Sequence, residues 1–343
     1  MIDIKSADSA LITSVLTENG FEKFRCKQIM TWLKAGVTSF DEMTNLPKKL
    51  REFLKEQFVI PCVHIERKRV SQLDDTVKYL FRLDDGEYIE SVVMQYHHGS
   101  TICISTQVGC KMGCTFCATG KSGYARDLLP SEMLSQIEEA QKDLGVRISN
   151  VVLMGMGEPF DNYDNVIRFL QIVSSEDSLN IGMRHITVST CGIVPRMRDF
   201  ADLGLQVGLS VSLHAPNDMM RSRTMPINKK YPIKEVMDAS RYYVNRTNRR
   251  ITFEYALIEG ENDSVQTAEE LGQLLKGLLC HVNLIPVNNV TGAGYQKSSL
   301  KRQQAFVDKL SAMGVNATVR RTLCSDIEAS CGQLKRNFMK GDV

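Results

Sequence analysis

Two hydrophobic periodicities divide the chain. Over residues 8–18 and 24–34 apolar side chains recur at helical spacing, with Ile29, Trp32 and Leu33 on one face of the second segment, and short amphipathic helices are expected. A third should follow Pro47, a residue suited to a helix start, and run through Leu50, Phe53 and Leu54. From residue 77 to 93 the pattern shortens to alternation. Asp85-Gly86 then reads as the turn of a hairpin between 78–83 and 87–92. Beyond residue 100, apolar runs at 101–105, 150–154, 185–189, 207–213, 252–257 and 281–286 alternate with helical stretches. Those stretches fall near 131–144, 162–174, 195–203, 232–246, 264–278 and 300–313. Such a rhythm marks repeated βα units and a parallel sheet. Six units are too few for the closed eight-unit barrel. The expected fold is therefore α/β: a partial (β/α)6 TIM-like barrel with one open side, a small N-terminal helical domain and a β-hairpin. The expected boundaries are 1–60 for the helical domain, 61–100 for a β-hairpin linker region, 101–290 for the barrel and 291–343 for a C-terminal helix and tail.

Composition narrows the class. With 343 residues, 43% of them hydrophobic, the chain can bury one large core and carry a smaller unit besides. No basic start runs into an apolar stretch, so neither a signal peptide nor a membrane span is expected, and a reducing cytosolic setting is. There, ten cysteines without even pairing point to metal or catalytic chemistry and not to a disulfide framework. A formal net charge of +2 is too small to advertise a nucleic-acid binder. Basic residues do cluster locally, at Lys48, Lys49 and Arg51, at Arg67, Lys68 and Arg69, and at Arg320 and Arg321. These clusters permit phosphate contacts without requiring them.

The densest chemistry lies directly after the first barrel run. Cys110-Lys-Met-Gly-Cys114-Thr-Phe-Cys117 places three cysteines within one short loop, and such a loop can wrap three thiolates around one face of an iron–sulfur cluster. Three local ligands leave one iron open to a small molecule. A structural zinc would need four ligands, and Cys103, inside the strand, is the nearest fourth. A zinc-stapled RNA-binding module without catalysis is the corresponding alternative. In barrels the chemistry gathers where strands finish. At those ends stand Gly155-Met-Gly157-Glu158-Pro159, then Ser189, Thr190 and Gly192, then Ser212, Leu213 and His214, and finally Asn288. Each alone is an ordinary turn or cap residue, but four polar groups on the rim that carries the cysteines describe a small-molecule pocket.

The three-cysteine loop, the partial barrel and the Gly-Glu-Pro step together resemble the radical S-adenosylmethionine (SAM) superfamily. Gln107-Val-Gly-Cys110, Met154-Gly-Met-Gly-Glu158-Pro159, Ser212-Leu-His-Ala-Pro-Asn217, Met225-Pro-Ile-Asn228 and Cys331-Gly-Gln-Leu334 narrow the likeness. They look like the dual-specificity adenine-C2 methyltransferases of 23S ribosomal RNA and transfer RNA. The resemblance starts at Phe24-Arg25 and Asn45-Leu46-Pro47 and reaches the C-terminal cysteine motif. A sister family, antibiotic-resistance methyltransferases acting on C8 of the same ribosomal adenine, shares most of these motifs but usually has Ala in place of Pro159. C2 is therefore expected, with C8 as the alternative. One departure is Cys324, where the family usually has Gly before its acidic step, here Asp326-Ile-Glu328.

C2 of adenine is electron-poor and cannot attack the electrophilic methyl of SAM as an amine would. What the resemblance implies is a ping-pong reaction with two SAM molecules and one [4Fe-4S] cluster held by Cys110, Cys114 and Cys117. Cys331 would take a methyl and become S-methylcysteine; a 5′-deoxyadenosyl radical would abstract a hydrogen from it, and the resulting carbon radical would add to C2. Glu90 matches the family's proton acceptor, and Cys103 the resolving thiol that forms a transient disulfide with Cys331. Read without the family, Glu90 would be a solvated strand charge and Cys103 a core thiol. The SAM pocket would comprise Gly157, Glu158, Ser189, Ser212, Leu213, His214 and Asn288. The implied substrates are an adenine of the 23S rRNA peptidyl transferase centre and the adenosine 3′ of the tRNA anticodon, with the N-terminal helical domain gripping structured RNA. An external electron donor such as flavodoxin is implied as partner, and a monomer is expected.

Overall fold

Among the described residues, the alternation of apolar runs and amphipathic helices builds one large sheet of ten strands with helices packed along it. The computed structural model describes residues 1–97, 99–287, 295–320, 326–327 and 332–340. The first unit contains β1 (Ile2–Asp3), α1 (Ser9–Glu18), α2 (Phe24–Lys34), α3 (Lys48–Gln57) and β2 (Phe58–Val59). An antiparallel stretch follows: β3 (Val63–Val70), β4 (Val77–Leu83) and β5 (Tyr88–Tyr96). The barrel proper begins with β6 (Gly99–Cys103), a short ribbon of β7 (Gln107–Gly109) and β8 (Tyr124–Asp127), and α4 (Pro130–Leu144). It continues as β9 (Ile148–Leu153), α5 (Tyr163–Ser174), β10 (Ile186–Thr190), α6 (Val194–Asp202), β11 (Gly208–Ser212), α7 (Asp218–Thr224) and α8 (Ile233–Thr247). Then come β12 (Ile251–Leu257), α9 (Val265–Leu275), β13 (Cys280–Pro286), α10 (Leu300–Ala312), β14 (Ala317–Val319) and α11 (Gln333–Lys340).

Strand order in the large sheet is β14-β13-β12-β11-β10-β9-β6-β5-β4-β3. The run from β6 through β13 is parallel throughout, which is the expected series of six βα strands. The short β14 adds a further parallel strand beside β13. No pairing joins β14 to β3 among the described residues, so the barrel is partial and open. The hairpin at Asp85-Gly86 forms where alternation placed it, with Val77 opposite Val93 and Gly86 at a φ of 85°. It does not stand apart: β5 pairs with β6, and the antiparallel strands extend the barrel sheet.

One core runs through the barrel, from Ile102 and Val151 to Phe253 and Val282, and α5 lays Val166, Phe169, Leu170 and Val173 onto it. A separate core of Ile12, Leu16, Ile29, Leu33, Leu50, Leu54 and Phe58 closes the N-terminal unit. Each such side chain contributes about 1.5–3 kcal/mol on burial. Local signals set the ends. Asp8 accepts from Leu11 N at 2.7 Å to cap α1, Pro130 opens α4, and Gly145, at a φ of 65°, closes it. A buried ion pair, Lys5 Nζ to Glu138 at 2.8 Å, and Ser131 Oγ donating to Asp3 at 2.6 Å tie the N-terminal unit to α4.

Strand β3 has no counterpart among the expected elements. Its sequence, Val-His-Ile-Glu-Arg-Lys-Arg-Val, is charged because it is an edge strand, where charges prevent further pairing. Among the described residues, no helix is long and apolar enough to cross a membrane.

Candidate active site

The cysteine loop leaves the sheet where β6 ends and is shaped by glycines that no other residue could replace. A Cβ at Gly109 would lie 2.0 Å from Gly123 O, and Gly109 needs its φ of 83° to let Cys110 N donate to that carbonyl at 2.8 Å. Within the loop Cys117 N donates to Cys114 O, and Thr115 N donates to Thr224 O at the end of α7. The three thiols are half-buried. Burial above all, with nearby negative groups, pushes the Cys110 and Cys114 thiols up to about 12. The positive iron of a bound cluster would favour their thiolate forms. Among the described residues, no three His, Cys, Asp or Glu side chains, these cysteines included, converge on one metal-ion position. Lys111 turns outward, to Asp161 at 3.0 Å and over the Tyr124 ring.

The next strand end packs directly on this loop's base. A Cβ at Gly155 would meet Ile104 O at 2.6 Å and one at Gly157 would meet Gln107 N at 2.7 Å, so both positions demand glycine. Glu158 is buried; Oε1 accepts from Phe160 N at 3.1 Å and Oε2 from Cys191 N at 2.7 Å. Burial raises its pKa while these donors oppose the rise. The carboxylate thus ties the loops after β9 and β10 together, with the Thr190 and Cys191 side chains as further hydrogen-bond partners. Ser189 stands half-buried near the end of β10, Ser212 half-buried at the end of β11, and Leu213 is buried.

His214 carries the most unusual backbone of the rim, a non-glycine residue at a φ of 58°. Its Nδ1 accepts from Ala256 N at 2.9 Å and its carbonyl from Asn262 Nδ2 at 2.9 Å. Burial, and then the Arg221 charge, push its pKa down to about 3, so the ring is neutral with the proton on Nε2. Phe116 from the cysteine loop meets this ring edge-on at 4.7 Å. Beneath them lies Arg221, fully buried. Its guanidinium donates to Leu213 O, Ser212 O, Cys191 O, Tyr231 O and Asn228 Oδ1, which fastens the loops after β10 and β11 to one point. Asn228 in turn donates to Asp218, and this explains the Met225-Pro-Ile-Asn228 motif as an anchor.

On the antiparallel side, alternation along β5 separates two faces. Ile89 and Val93 enter the main core; Val92 and Met94 join Cys103 in a small cluster on the opposite face. Glu90 shares that face, and Val92 is Cys103's register partner. The buried Glu90 carboxylate takes Lys78 Nζ at 3.0 Å and Gly332 N at 2.8 Å on Oε2, and Lys335 N at 2.7 Å on Oε1. Gly332 has a φ of 84°, and a Cβ there would lie 2.6 Å from Thr119 Oγ1, just beyond the cysteine loop. The segment that follows position 331 is therefore seated between Glu90 and the cluster loop. Cys331 itself, Cys324 and Asn288 lie outside the described residues.

Four residues of this region escaped the reading of motifs: Lys78, Phe116, Thr119 and Arg221. Lys78 did leave a signal, since it falls on the same face of β4 as Leu80, whose register partner is Glu90.

Residues 104–271 match the family model of the radical SAM superfamily, and residues 2–60 that of the ribosomal RNA large subunit methyltransferase N-terminal domain. The chain is 55% identical over 339 residues to a probable dual-specificity RNA methyltransferase RlmN of Alkaliphilus oremlandii, covering 99% of each. To the protein of the same description from Clostridium novyi it is 52% identical over 328 residues, 95% of this chain and 96% of the relative. Among solved structures, a radical SAM methyltransferase from Sphaerobacter thermophilus superposes with a TM-score of 0.92 at 43% identity, over 97% of this chain and 99% of that one.

Proposed function

Because the chain belongs to the RlmN family of dual-specificity radical SAM RNA methyltransferases, we propose that it methylates C2 of adenine, in 23S rRNA at the peptidyl transferase centre and in tRNA 3′ of the anticodon. The observation that carries the reading is the docking of Gly332, next in sequence to Cys331, between Glu90 and Thr119. It brings the neighbour of the methyl-carrying thiol, the proton acceptor and the edge of the cluster loop to one place, on the face shared by Cys103.

Cys110, Cys114 and Cys117 would hold the [4Fe-4S] cluster, and Gly157, Glu158, Ser189, Ser212, Leu213, His214 and Asn288 would line the SAM pocket. When bound, cluster and SAM supply a 5′-deoxyadenosyl radical. Cys331 carries the methyl to be activated, which SAM delivers in an earlier displacement. Glu90 takes the proton from C2 once the carbon has bonded there and the adduct has given up its unpaired electron, for which the cluster would be the acceptor. The Cys103 thiolate then attacks the Cys331 sulfur; the sulfur–carbon bond breaks, its electron pair stays on the product carbon, which takes up a proton to become the methyl, and a disulfide remains. Neutral His214 cannot repel the cationic sulfonium of SAM, and its contact with Phe116 keeps the pocket wall against the cysteine loop. The N-terminal unit, ion-paired to α4, presents structured RNA to the rim. An external one-electron donor such as flavodoxin, a monomeric state and a cytosolic setting complete the reading.

The test is a trapping experiment. Cys103→Ala should accumulate a covalent enzyme–RNA adduct through Cys331, seen by mass spectrometry of nuclease-digested protein. Product released at the wild-type rate would remove Cys103 from the mechanism.

A further inference from the structure

The segment around position 331 is clamped on both flanks by the antiparallel extension of the sheet. Upstream, Asp326 accepts from Ser71 Oγ at 2.7 Å and from Gln72 N at 2.8 Å, at the turn between β3 and β4. Downstream, α11 rests on β5: Phe338 packs on Tyr88, Arg67 lies over the Phe338 ring, and Lys335 Nζ reaches Glu87 at 3.2 Å. The first N–H groups of a helix have no partners inside it. For α11, Glu90, a carboxylate from another strand, accepts from Lys335 N in the first turn and from Gly332 N just before it. Lys78 completes the arrangement, and both side chains of that ion pair are within 1% of full burial.

We propose that Glu90 and Lys78 form a proton-sensitive latch on the catalytic segment, closed while Glu90 is a carboxylate and opened when it takes the C2 proton. This rests on the reading of Glu90 as proton acceptor. The balance is simple: the C2–H bond breaks, its electron pair stays on the base, and the proton bonds to a Glu90 oxygen. That oxygen gives a lone pair to the new bond, loses its negative charge and becomes a poorer acceptor for the amide facing it. The remaining bonds lose charge assistance, roughly halving their strength. The cap of α11 therefore loosens at the step after which the Cys331 sulfur must turn from the product to Cys103. Lys78 acts as a positioning residue: its ammonium, 3.0 Å from Oε2, holds the Glu90 side chain against the two amides.

Hydrogen exchange of the RNA-free full chain tests this without turnover. Glu90→Gln imitates the protonated form. It should speed amide exchange over 332–340 by about tenfold, the worth of one charge-assisted hydrogen bond, while exchange over α5 stays at the wild-type rate. Lys78→Met should loosen the same segment, and Lys78→Arg should restore it. Wild-type exchange over 332–340 in Glu90→Gln overturns the latch. If Glu90→Gln does not fold, the Lys78 pair decides: release in Lys78→Met reversed in Lys78→Arg supports it, and equal exchange in both overturns it. Faster exchange in Glu90→Gln with undiminished RNA methylation leaves the clamp but refutes Glu90 as proton acceptor, and the trigger with it.

Discussion

Arg221→Met isolates what holds the rim together. The guanidinium makes five hydrogen bonds, all to neutral oxygens on the segments following β10, β11 and α7. Met fills much of the same volume but leaves those acceptors without a donor in a fully buried setting. At roughly 1 kcal/mol for each stranded acceptor the loss approaches 5 kcal/mol. Relief from burying an ion returns part of it, since burial already lowers the Arg221 pKa. A net loss of about 3–4 kcal/mol follows, a large share of the 5–15 kcal/mol that domains commonly have. With a urea slope of about 3 kcal/mol per molar, the unfolding midpoint should fall by about 1 M, measured by circular dichroism. Arg221→Lys should lie between, because an ammonium keeps the charge with fewer donors. A midpoint for Arg221→Met within about 0.2 M of wild type would refute the reasoning that these bonds carry the rim.

Three further outcomes are expected. His214 stays neutral in the fold with a pKa pushed down to about 3, whereas an unfolded histidine titrates near ~6.5. The unfolded chain therefore binds an extra proton as pH falls from ~6.5 towards 3, and stability drops over that window by up to about 1.4 kcal/mol per pH unit. His214→Gln should remove this part of the dependence in urea titrations at several pH values, and an unchanged slope would contradict the assignment. Gly332→Ala should cost about 1–2 kcal/mol in backbone strain and force Thr119 away. It should leave iron content normal while RNA methylation falls about tenfold or more, and full methylation would count against the docked position. Cys331→Ala should still cleave SAM to 5′-deoxyadenosine but neither accept a methyl nor modify RNA; any methylated RNA from it would remove Cys331 from the mechanism.

Local signals in the sequence carried far. The strand–helix rhythm and the Asp85-Gly86 turn each depend on neighbours close in the chain, and each took the form expected. The missed parts are those that only distant pairing creates. β3 hid behind Arg67, Lys68 and Arg69 because an edge strand needs charge more than apolar alternation. Without the family resemblance Glu90 would read as a solvated charge, because nothing local shows that Lys78 and the start of α11 will bury it. Arg221 went unremarked, because its five acceptors come from loops that meet only after the barrel folds. The Asp326 step, noted only as a departure in the sequence, is an anchor for the β3–β4 turn.

The claim on which the account depends is methylation at C2. Reconstituted protein with SAM, a reductant and an adenine-containing RNA fragment should yield 2-methyladenosine, identified by mass spectrometry of the digested product against authentic standards. A methyl found at C8 alone would contradict it.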